Sequence, residues 1–163
     1  MKFTIVFLRK PGRILMGRKT RKIGKGLWNG YGGKIELGET PVESAIRETL
    51  KESGGVICQA VDLAEVAIMD FINTDETGQE LPCRAHVFFA YRWEGEPKDS
   101  DEVVDPTWFD DNRLPLDEML PADKVWLPEI LGGRKIYGLA KYTSNQGGLI
   151  GEVEIKEMGA CPK

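Results

Sequence analysis

Two glutamates four residues apart, Glu48 and Glu52, stand in a stretch with helical periodicity. Helical residues advance about 100° each, so the two carboxylates lie one turn apart on one face. They sit beside the apolar arc of Val42, Ala45, Ile46 and Thr49, which must face the core. Two carboxylates at the edge of a buried face are costly unless a positive partner compensates them. A hard divalent cation is such a partner, because magnesium prefers oxygen ligands and keeps waters for a phosphate substrate. Just upstream, residues 17 to 34 carry Gly17, Gly24, Gly26, Gly30, Gly32 and Gly33. Read as a loop, that segment brings backbone amides and carbonyls close to an ion and its phosphates. A glycine-rich loop followed by an acidic helix predicts a metal-assisted phosphate site.

The elements that must position this pair are legible around it. Thr40-Pro41-Val42-Glu43 is a capping box with proline at the first helical position, and Gly54 stands where a C-terminal cap belongs. Phe3 to Leu8 reads as a strand, Pro11-Gly12 as a turn, and Ile14 to Met16 as the return strand of a hairpin. Residues 56 to 72, 81 to 93 and 103 to 109 read as further strands. Asn73 to Glu80 is a polar turn. A second helix is expected from about Pro121 to Leu131, stopped by Gly132-Gly133. Lys135 to Tyr142 and Leu149 to Lys156 form a final hairpin in this reading. Strands outnumber helices, which predicts an α/β mixed sheet flanked by helices.

Composition excludes several classes. At 163 residues the chain is one domain's worth, and residues 1–163 are read as a single domain with no linker or repeat. With 41% hydrophobic and 29% charged residues, it is neither disordered nor fibrous. Phe3 to Leu8 is too short to span a membrane and lacks a small-residue cleavage site, so no membrane partner is expected. Three cysteines, Cys58, Cys83 and Cys161, lack metal-type spacing and fit thiols of a reducing cytoplasm. A net charge of −4 argues against stable nucleic-acid binding. A monomer is expected.

The stretch from Gly33 to Gly55 resembles the signature of the Nudix hydrolases, G-x5-E-x7-R-E-U-x-E-E-x-G-U, with U a bulky aliphatic residue. Gly33, Glu39, Arg47, Glu48, Glu52 and Gly54 fall on its fixed positions. Lys51 replaces the first glutamate of the E-E pair, Thr49 an aliphatic residue, and Gly55 the final one. Trp28-Asn29-Gly30-Tyr31-Gly32-Gly33-Lys34 is similar to the lead-in of the oxidised-purine nucleoside triphosphatases, the MutT-like 8-oxo-dGTP diphosphatases. Arg84 to Phe89, Ser100-Asp101-Glu102, Trp108-Phe109 and Met119 to Pro128 follow in the expected order, so the resemblance runs from about Thr4 to Tyr142.

The resemblance implies a Nudix fold, an α/β/α sandwich around a central mixed sheet. It implies that Glu48, Glu52 and the Gly32 backbone hold magnesium, with manganese as a substitute, and that Arg47 orients the helix carboxylates. It also implies that Glu102 is an extra metal ligand or the base, and that the proton goes to Glu52, Glu48 or Glu102. Thr4, Lys19, Asn29, Lys34, Leu120 and Asp123 fall at its substrate-binding positions, with Asn29 and Asp123 on the purine edge. Leu120 stands where a stacking tryptophan is expected and Ala122 where a second aspartate is expected. The implied activity is hydrolysis of 8-oxo-dGTP or a related oxidised purine triphosphate to monophosphate and pyrophosphate, which cleans the nucleotide pool. Alternatives are hydrolysis of another nucleoside diphosphate derivative, or a non-catalytic nucleotide-binding module.

Each feature has a plainer reading. An acidic pair on a helix usually faces water beside lysine and arginine, but the glycines, Glu39 and the fixed spacing favour metal. Lys51 points away from the apolar face on a helical wheel and reads as solvated or at the rim. Arg18, Lys19, Arg21, Lys22 and Lys25 either steer a polyanion or merely solvate a loop. His86, the single histidine, reads as structural, and Trp28, Trp126, Leu127, Ile130 and Leu131 as core.

Overall fold

The computed structural model describes residues 1–158. Cys161 lies outside them. Strands β1 (Lys2–Lys10), β2 (Arg13–Lys19), β3 (Trp28–Asn29) and β4 (Tyr31–Lys34) precede helix α1 (Pro41–Ser53). Then come β5 (Leu63–Thr74), β6 (Glu80–Ala90), β7 (Val103–Asp110), helix α2 (Asp123–Leu131), β8 (Ile136–Tyr142) and β9 (Glu154–Glu157). The sheet order is β3-β2-β1-β6-β5-β8-β9, with β4 paired to β1 and β7 to β2. β1 runs parallel to β6 and β5 parallel to β8, while the other pairs are antiparallel. The sheet is mixed, as expected.

Alternation along β1 assigns the two faces. Phe7 points into a core shared with Met69, Val87, Trp126, Leu127 and Ile130, under α2. Val6 and Leu8 point the other way, into a core shared with Tyr31, Ala45, Val56 and Phe88, under α1. Helices on both faces of a mixed sheet give the α/β/α layering. Helix α1 begins and ends where its caps predict. Thr40 Oγ1 accepts from the Glu43 amide, the Glu43 carboxylate accepts from the Thr40 amide, and Gly54 is left-handed at φ 71°.

Three expectations need correction. The glycine-rich segment is not all loop, because residues 28–29 and 31–34 are strands. Glycine has poor strand propensity, yet here the tertiary contact demands it: a Cβ on Gly32 would lie 1.8 Å from the Thr4 carbonyl oxygen. The strand expected from residue 56 begins only at Leu63, after a 3-10 turn over Ala60–Asp62. In the last hairpin, Leu149 makes a single bridge to Tyr142, and the return strand is Glu154–Glu157.

Candidate active site

Helix α1 turns its carboxylates inward. Its buried residues are Ser44, Ala45, Glu48, Thr49, Glu52 and Ser53, whereas Val42 and Ile46 are only partly covered. The glutamates therefore form the middle of the packed face, not its edge. They lie against the glycines of β4, where a Cβ on Gly33 would come within 2.5 Å of Glu48 Cδ. Glycine at 33 is what lets that carboxylate seat.

Arg47 locks the arrangement. Its guanidinium donates to both oxygens of Glu39 at 2.6 and 2.8 Å, to Glu48 Oε1 at 2.6 Å and to the Lys34 carbonyl at 3.1 Å. Charge-assisted, two-pronged bonds of this kind fix geometry as well as charge. The Arg47 guanidinium, with the Glu36 amide, holds the Glu39 carboxyl down at about 2. Glu52 has a different environment. Its Oε1 accepts from the Gly32 amide at 2.8 Å, but burial and the nearby Glu102 and Glu48 carboxylates push its carboxyl upward. Glu102 comes from the loop before β7. Ser100 ties that loop to α1 by donating to the Glu52 carbonyl at 2.7 Å.

Among the described residues, no three acidic, histidine or cysteine side chains are pre-arranged as a metal cage. Each carboxylate is satisfied within the protein instead: Glu48 by Arg47, Glu52 by the Gly32 amide, and Glu102 by Arg21 at 2.8 Å and Lys51 at 3.3 Å. The donor set fits a hard divalent ion. Three carboxylates converge on one wall, two of them nearly buried, and one of those is destabilised as an anion by its neighbours.

These carboxylates line a cleft of about 520 Å³, a size suited to a nucleotide. The cleft crosses β4, β1, β6 and β5, three strand spacings or about 14 Å. Lys19, Lys22, Lys34 and Lys51 line it as well, with Lys51 against Glu102. Burial pushes the Lys19 amine downward, opposed by the Glu52 charge. The cleft is also walled by Phe3, Ile5, Phe71, Cys83, Ala85 and Leu120. Asn29 lines the cleft with its own Oδ1 taken by the Gly30 amide. Asp123, only 3% exposed, accepts from Trp126 Nε1 through Oδ1, while its Oδ2 has no partner. Burial pushes that carboxyl up to about 7. Thr4, also a lining residue, has its hydroxyl 3.4 Å from that of Ser44.

Every residue expected at the site thus borders this one cleft or, in the case of Arg47, braces it. His86 does not; it pairs with Glu65 at 2.8 Å and is structural. Lys51 is more than a solvated lysine, since its amine reaches Glu102. Four contributors escaped the sequence reading. Arg21 had no assigned partner, Ser100 no assigned contact, and Asn73 and Gln146 no place in the site. Those last two line the cleft and bond to each other at 2.9 Å. No periodicity or motif marks such pairs, which come from segments far apart in the chain.

A carboxylate-bearing helix braced by arginine, laid against a glycine strand and facing a lysine-rimmed cleft, defines a hydrolase of phosphate anhydrides. The chain belongs to the Nudix family: the model of the NUDIX domain matches residues 1–130. Over 139 residues it is 37% identical to the oxidized purine nucleoside triphosphate hydrolase of Danio rerio, covering 85% of each chain. It is 34% identical to the protein of the same name from Mus musculus, over 86% of this chain and 85% of that one. Among solved structures, a MutT protein from Bacillus halodurans superposes with a TM-score of 0.77 at 25% identity, over 94% of this chain and 96% of the other. Nudix hydrolases generally use divalent metal ions, in keeping with the oxygen donors converging here.

Proposed function

We propose that this protein hydrolyses oxidised purine nucleoside triphosphates, such as 8-oxo-dGTP, to the monophosphate and pyrophosphate, using magnesium. The observation that carries the reading is that one cleft is lined both by Glu48, Glu52 and Glu102 with lysines and by Asn29 and the nearly buried Asp123, one of whose oxygens has no partner. Relatives named for that activity, aligned over most of both chains, support the choice of substrate.

In this reading Glu48, Glu52 and Glu102 hold the metal, with the Gly32 backbone beside it. A bound divalent ion supplies charge neutralisation on the phosphates and acidifies the attacking water. Arg47 keeps Glu48 in place through the Glu39 brace, so that the carboxylate need not reorganise during the reaction. Lys19 and Lys34 bind the phosphates. Water attacks phosphorus, the bond to the pyrophosphate oxygen breaks, and the proton passes to a carboxylate. Glu52 suits that task among the three because it has no cationic partner among the described residues. Thr4 and Leu120 flank the nucleoside, while Asn29 and Asp123 read the base edge. A neutral Asp123 donates a hydrogen bond, and an ionised one only accepts. We further place the protein in the cytoplasm, as a monomeric single domain.

A second reading has its own observation. Leu120 and Ala122 stand where the resemblance expects a tryptophan and a second aspartate, and Asn73 and Gln146 add polar groups to the cleft. Another nucleoside diphosphate derivative would fit such a pocket. The test is monophosphate release from a panel of oxidised and ordinary triphosphates and diphosphate derivatives, with magnesium and with chelator. Preference for an oxidised purine triphosphate by at least tenfold supports the first reading. Preference for a diphosphate derivative supports the second.

A further inference from the structure

Lys51 occupies the position where the family signature has a glutamate, and the structure shows where that change lands. The side chain leaves the exposed side of α1, 58% accessible, yet bends back so that Nζ lies 3.3 Å from Glu102 Oε1. The same oxygen accepts from Arg21 Nη2 at 2.8 Å. The amine's charged neighbours are Glu102, Glu48 and Glu52, all of which hold it protonated. A glutamate replaced by lysine here changes the local charge by two elementary charges and deletes one oxygen ligand. Both effects disfavour an additional divalent ion, and the ammonium supplies in its place a positive charge that phosphate oxygens can contact.

We infer that Lys51 is a built-in cation that takes the place of one divalent ion in this site. The free protein holds a single ion among Glu48, Glu52 and Glu102, and a carboxylate at position 51 admits a second. The inference rests on the metal reading proposed above, but it concerns this chain's own departure from the signature.

The experiment is manganese titration of the full chain without nucleotide, with free Mn2+ followed by electron paramagnetic resonance. Wild type, Lys51→Glu, Lys51→Met and Glu52→Gln are compared at fixed ionic strength, after circular dichroism confirms equal folding. Wild type is expected to bind one ion, and Lys51→Glu two. Lys51→Met removes the charge without adding a ligand, so it keeps one ion and binds it about tenfold more tightly. Glu52→Gln loses the ion. If Lys51→Glu and Lys51→Met both superimpose on wild type while Glu52→Gln still loses its ion, the inference about Lys51 is overturned and the metal site stands. If wild type binds no ion, or Glu52→Gln binds as wild type does, the metal reading itself falls, and this inference with it.

Discussion

Replacing Asp123 with asparagine stabilises the protein at alkaline pH. Asparagine keeps the oxygen that accepts from Trp126 Nε1 and puts an amide where the unpartnered Oδ2 stands. Burial raises the carboxyl from 3.8 to about 7 in the folded chain. A group raised on folding costs nothing while it is protonated in both states, below about pH 4. As pH climbs towards 7, the unfolded chain ionises and the folded chain does not, so stability falls; beyond 7 the loss levels off. About three pKa units at 1.36 kcal/mol each set a ceiling of about 4 kcal/mol on that loss. The span from pH 5 to pH 8.5 covers about two of those units, so water access to Oδ2 leaves roughly 2 kcal/mol to observe. The assay is urea or thermal unfolding of both forms at pH 5 and pH 8.5. The advantage of Asp123→Asn over wild type is expected to grow by about 2 kcal/mol, or about 4–8 °C in Tm, at the higher pH. An advantage that does not change with pH would refute the argument, because it would mean that Asp123 titrates alike in folded and unfolded chains.

Further outcomes follow from single contacts. Gly33→Ala drives a methyl into the Glu48 carboxylate, 2.5 Å away, and is expected to lower kcat/KM about a hundredfold with only a small loss of Tm; unchanged kinetics would show that Glu48 does not need its present seat. Asn29→Ala is expected to cost about 1–3 kcal/mol of discrimination between 8-oxo-dGTP and dGTP, read as the ratio of their kcat/KM values. Thr40→Ala removes the N-terminal cap of α1 and is expected to cost about 1 kcal/mol in urea unfolding, with kcat/KM retained at temperatures where the chain is folded.

Helix α1 was legible in the sequence because its signals are local. A capping box, a proline and a terminal glycine each act over a few residues, and the glutamate spacing depends only on helical pitch. The orientation of that helix was less so. The apolar spacing pointed to Val42, Ala45, Ile46 and Thr49 as the packed side; the structure buries Ala45 and Thr49 but covers Val42 and Ile46 only partly, and buries Glu48 and Glu52 instead. Hydrophobic pattern misleads where a face is buried for chemistry, since its cost is offset by Arg47 and by the Gly32 amide. Strand β4 escaped notice for a related reason. Glycines that normally break strands are required there by the approach of the Thr4 backbone and the Glu48 carboxylate. Long-range partners were illegible altogether. Arg21 and Glu102 are 81 residues apart, and Asn73 and Gln146 are 73 apart, with no pattern linking them.

The most direct measurement is product analysis with 8-oxo-dGTP as substrate, comparing wild type with Glu52→Gln at saturating magnesium and in chelator. Wild type with magnesium should yield 8-oxo-dGMP and pyrophosphate in equal amounts. Glu52→Gln, folded and with its Gly32 contact preserved, should lose about 10²–10⁴-fold in turnover, and chelator should abolish the reaction. A Glu52→Gln variant that retains full turnover would contradict the assignment of this cleft as the catalytic site, and a product pair of diphosphate and inorganic phosphate would contradict the proposed cleavage to monophosphate and pyrophosphate.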